Sequence, residues 1–359
     1  MADTPTAGRR IVVTGASGNV GTSVIEALGA DPRVESIVGV VRRRPELSRP
    51  KVRWVEADLG HDDPAALDQI VAGADVVIHL AWLFQPARDP GITWHTNVLG
   101  SLRVFEAVAR NGVPALVHAS SVGAYSPGPK DRGVDESWPT HGWPAAAYTR
   151  EKSYLERALD TFEAKHPDVR VVRMRPAFLF KRESASEQRR LFAGPFLPNQ
   201  LVRPDLIPVV PDLPGLRVQA VHTDDAAQAY RLAALGDVRG AFNLAADPVV
   251  DAGLLAELLG ARVVRLPVWA VRGPLVAAWR LHLAPASPDL FDATLRLPLM
   301  DSTRARTELG WTPSHDAADV LAEFLAGLRE GAGAATPPLA PTVPGGRLHE
   351  VGTGAGSRP

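Results

Sequence analysis

Short apolar runs rich in β-branched residues alternate with longer helical patterns through the first 180 residues of the chain. The short runs predict strands, and the stretches between them repeat apolar residues at helical spacing. Apolar strands that alternate with helices need cover on both faces, so the pattern predicts the α/β class with a doubly wound parallel sheet. The predicted strands are 10–16, 36–42, 52–58, 75–81, 115–121 and 169–176, and the predicted helices are 20–28, 65–73, 94–111 and one that contains Tyr148.

The pattern loosens after Pro176. Residues 181–216 are rich in Arg, Pro and Leu and show no clear period. A strand followed by a helix is predicted again over 218–235, and another short strand over 241–247. We therefore expect the chain to leave the sheet, build part of a substrate cover and return.

The composition excludes several classes of function. The chain has 359 residues, 45% of them apolar and 22% charged, as in an ordinary globular protein. A net charge of −1 gives no excess of positive charge for binding nucleic acid. The absence of cysteine excludes disulfides, thiolate metal sites and cysteine nucleophiles, and suits a cytoplasmic location. The ten histidines lack metal-ligand spacing such as H-E-x-x-H, so no metal site is predicted.

No integral membrane segment is predicted. The first ten residues have no apolar stretch behind their charges, so they do not resemble a secretory signal. The most apolar later stretch, 266–279, is interrupted by Arg272 and two prolines and is too short to span a bilayer. A peripheral membrane contact through this stretch is compatible with the sequence. So is a homodimer.

A glycine-rich motif predicts the nucleotide site. "TGASGNVG" places Gly15, Gly18 and Gly21 after the first predicted strand and at the start of its helix. Glycines there allow a tight turn and a close backbone approach to a pyrophosphate, with helix N–H groups directed at it. The same string also suits a plain strand-to-helix turn, but its position in the alternating pattern favours nucleotide binding.

The residues after the second and third strands bear on the cofactor. Arg42 lies about twenty residues beyond Gly21, where an acidic residue would select NAD and a cation can accept the 2′-phosphate of NADP. Arg43 and Arg44 are placed to share that role. NADP is therefore favoured, with NAD as the alternative. Asp58 is placed either to receive the adenine edge or to cap a turn.

Tyr148 and Lys152 are the candidate catalytic pair. Hydride transfer to a carbonyl requires a proton for the oxygen, and a tyrosine near a positive charge can supply it. The two side chains share a helix face at i and i+4. With four Tyr and five Lys in the chain, about 0.06 such pairs are expected by chance. Ser121, at the carboxyl end of the fifth strand, is available as a second donor to the substrate oxygen.

Together these motifs resemble the extended short-chain dehydrogenase/reductase superfamily. That superfamily includes sugar-nucleotide epimerases, dehydratases, dihydroflavonol-type reductases and 3β-hydroxysteroid dehydrogenases. The resemblance covers about residues 10 to 330. The matching pieces, in family order, are "TGASGNVG", "ADL" (57–59), "HLA" (79–81), "NVLGS" (97–101), "SSVGAY" (120–125), "YTREK" (148–152), "RP" (175–176), "VHTDD" (221–225) and "ELGWTP" (308–313).

The resemblance implies the roles of individual residues. Ser121, Tyr148 and Lys152 correspond to the catalytic residues, and Asn97 to the residue that helps to place the lysine and an ordered water. Asp225 corresponds to a structural residue that holds the substrate cover. The implied cofactor contacts are Gly15, Ser17, Gly18, Asn19, Val20, Gly21, Arg42, Arg43, Asp58, Leu59, Leu80, Ala81, Ala119, Tyr148, Lys152, Pro176 and Ala177.

The motifs divide the chain into two regions and a tail. We expect a Rossmann NAD(P)-binding domain over 8–180, to which the chain returns at about 218–247. A smaller, mostly C-terminal substrate-binding region is expected from 181–217 and 248–330. Residues 331–359 consist largely of Gly, Pro, Ala and Thr, and are expected to form a disordered tail.

Two departures from the pattern of the superfamily's sugar-nucleotide enzymes weaken the interpretation that this chain is one of them. Arg217 is shifted by one position from the arginine that clamps a nucleotide diphosphate, and Val122 follows Ser121 where dehydratases often have Glu. Trp82, with Trp143 and two further tryptophans at 94 and 138, falls in segments that frame the expected pocket. An aromatic wall suits an apolar or aromatic carbonyl compound, although each Trp is equally consistent with core packing.

We therefore predict an NAD(P)-dependent oxidoreductase that interconverts a carbonyl and an alcohol. Tyr148 acts as general acid or base, Lys152 tunes it, and Ser121 orients the substrate oxygen. Trp82 and Trp143 are candidate substrate contacts. The alternatives are a sugar-nucleotide epimerase or dehydratase that retains bound NAD, and a cofactor-binding protein without turnover.

Overall fold

The computed structural model describes residues 8–61, 64–85, 88–194 and 206–342. The strands in these ranges are β1 (Arg9–Thr14), β2 (Val34–Val41), β3 (Val52–Glu56), β4 (Val76–His79), β5 (Ala115–Ala119), β6 (Gly133–Val134), β7 (Arg170–Pro176), β8 (Phe178–Phe180), β9 (Val209–Asp212), β10 (Arg217–His222), β11 (Gly240–Leu244), β12 (Ala246–Asp251), β13 (Arg262–Arg265) and β14 (Leu299–Met300).

The α-helices in the same ranges are α1 (Asn19–Gly29), α2 (Pro64–Val71), α3 (Pro90–Trp94), α4 (Gly100–Arg110), α5 (Ala147–Lys165), α6 (Ala185–Gln188), α7 (Thr223–Leu235), α8 (Ala252–Leu259), α9 (Val268–Arg280), α10 (Pro288–Thr294), α11 (Thr303–Thr307) and α12 (Ala317–Glu330). None of these helices is both long and apolar enough to cross a membrane.

Seven parallel strands form the main sheet in the order β11-β7-β5-β4-β1-β2-β3. β1 pairs with β2 on one side and with β4 on the other, so the strand order reverses at β1. Open α/β sheets bind their ligands at the carboxyl edge beside such a reversal. The predicted α/β class and doubly wound parallel sheet are confirmed.

The predicted helix 94–111 is interrupted by a π-turn. α3 ends at Trp94, α4 begins at Gly100, and the turn over His95–Leu99 joins them. Turns of this kind occur mostly as single insertions in helices, often at functional sites. Here the turn contains Asn97, whose side chain is buried.

Apolar side chains fill both faces of the main sheet. One layer contains Val13 and packs against α1 and α7, with Tyr230 fully buried between them. The other layer contains Val77 and packs against α2, α4 and α5, with Phe105 and Leu155 at its centre. Because both faces are covered, the strands are continuous apolar runs rather than alternating ones.

A buried ion-pair cluster fixes α5 on this sheet. Glu156 of α5 accepts two hydrogen bonds from Arg175 of β7, both at 2.9 Å, and one from Ser120 after β5 at 2.5 Å. Arg173 of β7 donates to the same carboxylate at 3.0 Å. Burial acts to raise the pKa of Glu156, but the hydrogen bonds and charge of Arg175 outweigh it and hold the pKa at about 2. The helix that carries Tyr148 is thus tied to two strands.

The return of the chain at 218–247 is divided between two sheets. α7 packs against α1, and β11 joins the main sheet. β10 instead pairs with β8 and β12 in a separate three-stranded sheet. This arises because β8 follows β7 almost directly, leaves the main sheet and offers its edge to β10.

Part of the predicted disordered tail is packed against the protein. Leu339 is fully buried, and Thr336 donates a hydrogen bond to the carbonyl oxygen of Ser17 at 2.8 Å. The prediction of disorder is therefore wrong for 331–342. A buried side chain and hydrogen bonds hold this segment, although its composition favours disorder. Residues 343–359 lie outside the described residues.

Candidate active site

The glycine-rich loop joins β1 to α1, and each of its three glycines has a different structural role. Gly15 has a φ of +68°, and a Cβ there would lie 2.7 Å from the backbone nitrogen of Ala81. A Cβ on Gly21 would collide with the carbonyl oxygen of Gly15. Gly18 is the N-cap of α1 and makes no side-chain cap, so the first N–H groups of this helix are left for another acceptor. A pyrophosphate is the kind of group that such an end binds.

The predicted adenosine contacts lie beside this loop. The backbone N–H of Gly15 is hydrogen-bonded to β2 at 3.0 Å, and Arg42 and Arg43 follow that strand with exposed side chains. Asp58 is half-exposed after β3, and its carboxylate accepts from the backbone N–H of Gly60 at 3.0 Å. Asp58 therefore has a role in its own turn, and its contact with adenine stays a prediction.

The remaining predicted cofactor residues occupy the loop, the first turn of α1 and the carboxyl ends of the strands. They share one edge of the sheet, so the fold brings them together although they are spread over 160 residues of sequence. These residues are Ser17, Asn19, Val20, Leu59, Leu80, Ala81, Ala119, Pro176 and Ala177.

Ser121 and Tyr148 are in direct contact. The Tyr148 hydroxyl donates a hydrogen bond to the Ser121 Oγ at 2.8 Å. The Ser121 Oγ also accepts from the backbone N–H of Gly123 at 3.0 Å, which fixes the serine rotamer. A Cβ at Gly123 would lie 2.7 Å from the Tyr148 ring, so a glycine at this position gives the ring its space.

Lys152 lies buried behind this pair. Its Nζ donates to the carbonyl oxygen of Ala119 at 2.6 Å and lies 3.5 Å from the centre of the Trp82 ring. Burial lowers the pKa of Lys152 to about 7, and the charges of Glu151 and Glu156 act in the opposite direction. The Lys152 amine is thus held by one carbonyl oxygen and one aromatic face, close to the N-terminal end of α5.

The electrostatic surroundings of Tyr148 disfavour its phenolate. In the protein itself, burial raises the pKa of Tyr148 to about 12; Glu151 adds to the increase and the hydrogen bond with Ser121 opposes it. The Lys152 Nζ lies 6.0 Å from the centre of the tyrosine ring. The hydroxyl is consequently protonated at neutral pH.

Asn97 holds a carboxylate rather than the lysine itself. Its Nδ2 donates to Glu151 at 2.7 Å, and its amide exchanges two hydrogen bonds with the backbone of Leu83, at 2.7 and 2.9 Å. Thr93 donates to the same carboxylate at 2.6 Å. Burial raises the pKa of Glu151, and these two hydrogen bonds counteract it. Asn97 thus positions the residue that precedes Lys152.

An apolar cleft of about 540 Å³ opens beside Tyr148. Phe84 stacks on the tyrosine ring at 5.4 Å, and Phe192 meets Phe84 edge-on at 5.8 Å. No lysine or arginine belongs to the described lining of this cleft. The lining consists of Trp82, Leu83, Phe84, Gln85, Thr93, Ala146, Ala147, Tyr148, Glu151, Leu191, Phe192, Pro285, Ala286, Ser287 and Leu290.

Of the four tryptophans expected to frame the pocket, one lies in the described lining of the cleft. Trp82 lines the cleft and meets the Tyr148 ring edge-on at 5.6 Å. Trp143 lies outside the described lining, with the guanidinium of Arg296 4.4 Å from its ring centre. Trp94 and Trp138 pack elsewhere. A substrate role for Trp143 therefore lacks support from the geometry of this cleft.

Sequence reasoning missed most of the cleft. Glu151 lies three residues after Tyr148, and this i, i+3 spacing could have indicated that the two share a helix face. Phe84 and Phe192 lie more than a hundred residues apart in the chain, and no short motif links them. The Asp225 carboxylate accepts hydrogen bonds from Ser314 and His315. That it holds the substrate cover stays a prediction.

The lowered pKa of Lys152 predicts a pH-dependent stability. Its folded pKa of about 7 lies below the value of about 10.4 in unfolded chains, so between these values the unfolded chain binds more protons. The free energy of unfolding should therefore rise with pH in this window, by up to about 1.4 kcal/mol per pH unit. In Lys152→Met this contribution disappears, so denaturant unfolding between pH 7 and 9 should give the wild type the steeper pH dependence.

The exposed Lys165, at the end of the same helix, provides the control. Lys165→Met should keep the slope of the wild type. Equal slopes for wild type and Lys152→Met would contradict the lowered pKa of Lys152 in the folded chain.

Comparison with known proteins identifies relatives along most of the chain. An uncharacterized protein of Mycobacterium tuberculosis is 28% identical over 322 residues, which is 89% of this chain but 30% of that protein. The chain thus spans less than a third of that relative's length. A 4-hydroxy-2-methyl-3-oxo-4-farnesyl-3,4-dihydroquinoline-1-oxide ketoreductase of Stigmatella aurantiaca is 31% identical over 173 residues, covering 48% of this chain and 50% of that enzyme.

Solved structures share the fold. The UDP-glucose 4-epimerase of Thermus thermophilus, in complex with NAD, superposes with a TM-score of 0.65 at 20% identity, covering 89% of this chain and 99% of the epimerase. At this identity the likeness concerns the fold. It agrees with the resemblance to extended short-chain dehydrogenases/reductases.

The sequence model of the NAD-dependent epimerase/dehydratase family matches residues 11–245. This range contains the glycine-rich loop, the seven-stranded sheet, and the Ser121, Tyr148 and Lys152 cluster. The chain therefore belongs to the NAD-dependent epimerase/dehydratase family.

Proposed function

We propose that this protein is an NADP-preferring reductase or dehydrogenase that interconverts a carbonyl and an alcohol by hydride transfer. The observation that carries the proposal is the position of the Tyr148 hydroxyl. It donates a hydrogen bond to Ser121 at 2.8 Å and borders an apolar cleft, at the sheet edge that also carries the glycine-rich loop.

Tyr148 gives its proton to the substrate oxygen in the direction of reduction. With a pKa of about 12 the hydroxyl is protonated at neutral pH, and it releases the proton only as negative charge develops on that oxygen. The Ser121 hydroxyl, fixed by Gly123, donates a second hydrogen bond that orients the oxygen. The Lys152 ammonium behind the ring offsets the charge left on the phenolate.

The residues of the sheet edge suit a dinucleotide. The uncapped first turn of α1 would hold the pyrophosphate, and Arg42 and Arg43 would bind the 2′-phosphate that distinguishes NADP from NAD. When bound, the reduced nicotinamide supplies the hydride that adds to the carbonyl carbon. Lys152 would in addition hold the nicotinamide ribose.

The cleft favours an apolar or aromatic substrate. Its polar side chains already bond to protein groups: Gln85 donates to the carbonyl of Leu191, Glu151 accepts from Thr93, and Ser287 accepts from the backbone of α10. Tyr148 remains the donor at the reacting position. The Stigmatella relative, whose name describes a ketoreductase of a farnesylated ring compound, supports a ketone substrate of this kind.

The second candidate is a sugar-nucleotide epimerase or dehydratase with retained NAD. A smaller cleft beside Val122 is lined in part by Lys130 and Arg217, and the buried Nε of Arg217 has no hydrogen-bond partner among the described residues. Burial lowers the pKa of Lys130 to about 8, and the nearby Arg217 adds to this decrease, as expected where two cations meet. A diphosphate would suit these cations. We favour the reductase because the cleft that borders Tyr148 lacks such cations in its described lining.

Tyr148→Phe should lower kcat of carbonyl reduction by about 10²- to 10⁴-fold, because the proton donor is lost while the ring is kept. The Kd for NADPH, measured by fluorescence titration, should stay within about twofold, since the glycine-rich loop is unchanged. Tyr154→Phe, on the same helix but exposed and packed on Trp94, is the matched control and should keep full activity. Unchanged turnover in Tyr148→Phe would refute the assignment.

Arg42→Asp should move cofactor preference toward NAD. The carboxylate repels the 2′-phosphate and accepts hydrogen bonds from the ribose hydroxyls, so the ratio of kcat/KM for NADPH over NADH should fall at least about tenfold. Arg53→Asp, exposed on β3, is the control for a simple change of surface charge. A ratio that stays the same in Arg42→Asp, and in the double variant with Arg43→Ala, would contradict the NADP preference.

A further inference from the structure

The segment from β13 to Leu283 exposes an unusual amount of apolar surface. Trp269 is 75% exposed, Leu281 68%, and Val263 of β13 45%. Isolated exposed apolar residues are common, but contiguous stretches of them mark sites of interaction. We call residues 262–283 the apolar segment.

Within this segment, α9 presents an apolar face to solvent. Its exposed positions Trp269, Gly273 and Ala277 recur at four-residue spacing, so they lie on one side of the helix. Its other side is held to the protein: Arg272 pairs with Asp292 of α10 at 2.8 Å, and the guanidinium of Arg88 lies 3.8 Å from the Trp279 ring centre. No residue of α9 is fully buried.

The charge of this region has a single sign. Residues 258–288 contain four arginines and no Asp or Glu. Arg262, Arg265 and Arg280 are exposed, and Arg265 forms a long contact of 3.6 Å with Asp212. An exposed tryptophan on an apolar helix face, flanked by arginines, is the arrangement by which a helix lies in the surface of an anionic bilayer.

A second copy of the chain fits this segment less well. In a twofold dimer the same surface meets itself, so these arginines would face one another without a carboxylate of the segment to compensate them. Anionic lipid supplies the missing negative charge and also a solvent for the apolar side chains.

We propose that the apolar segment docks the protein peripherally on an anionic lipid surface. The segment leads directly into Pro285, Ala286 and Leu290, which line the cleft beside Tyr148. Docking would therefore bring the cleft close to the bilayer and to apolar compounds dissolved in it. This delivery of substrate rests on the proposed reductase function, whereas docking itself does not.

Vesicle sedimentation of the full chain tests the docking directly. We expect binding to vesicles of phosphatidylcholine with 30% phosphatidylserine, weak binding to pure phosphatidylcholine, and loss of binding as salt is raised. Arg262→Gln/Arg265→Gln should lower the partition coefficient more than about tenfold, since each arginine near an anionic surface contributes about fivefold. Trp269→Glu should lower it at least about tenfold, and Trp269→Tyr should largely preserve it.

The control is Arg53→Gln on β3, at the far edge of the main sheet, which should bind vesicles like the wild type. Circular dichroism and NADPH binding should be unchanged in all variants, because the altered side chains are exposed. Equal binding to neutral and anionic vesicles, or none to either, would overturn the proposal. So would a shift from dimer to monomer in Trp269→Glu by light scattering, because the segment would then be a protein interface. Docking without any carbonyl reduction would uphold this proposal and count against the proposed function alone.

Discussion

The buried carboxylate of Glu156 is the constraint on which the site depends. Tyr148, Lys152 and Glu156 follow one another at four-residue spacing on α5, so one helix face carries the proposed proton donor, the buried lysine and the anchor. Arg175 and Ser120 bind the anchor from β7 and β5. Since Ser121 is the next residue after Ser120, the same contact sets the distance between the tyrosine and the serine.

Burial of the Glu156 carboxylate costs free energy unless the carboxylate is fully paired. An isolated carboxylate at this depth would lose several kcal/mol of hydration, so both arginines of β7 are needed for the charge to persist. Once paired, it offers one geometry for the helix. The Tyr148–Ser121 hydrogen bond and the buried Lys152 are therefore preorganised by interactions about two helical turns away from the reacting oxygen.

The fold and the cluster of Ser121, Tyr148 and Lys152 could be predicted because both leave local signals. Apolar runs covered on both faces mark the parallel strands, and the glycines of the first loop are required by close backbone contacts at Gly15 and Gly21. Tyr148 and Lys152 are four residues apart in the sequence. Their pairing with Ser121 follows from the rule that parallel strands end at one edge of the sheet.

The cleft and its electrostatics had no local signal. Phe84 follows β4, Phe192 follows α6 and Pro285 follows α9. They meet only because these three segments converge, and the sequence pattern does not encode that convergence. The raised pKa of Tyr148 is also a tertiary effect, because burial outweighs the hydrogen bond with Ser121. The packed part of the tail is held by the buried Leu339 and the hydrogen bond of Thr336, in a segment otherwise composed mostly of Gly, Ala and Pro.

The central claim is that this site performs net carbonyl reduction, and the fate of an isotopic label tests it most directly. The protein would be incubated with NADPH deuterated at the transferring position and a panel of apolar aromatic ketones, and the products analysed by mass spectrometry. The account predicts an alcohol that carries the deuterium on its carbinol carbon, with an equal amount of NADP⁺ formed. Cofactor that stays bound and unconsumed while a nucleotide sugar is isomerised or dehydrated would contradict it.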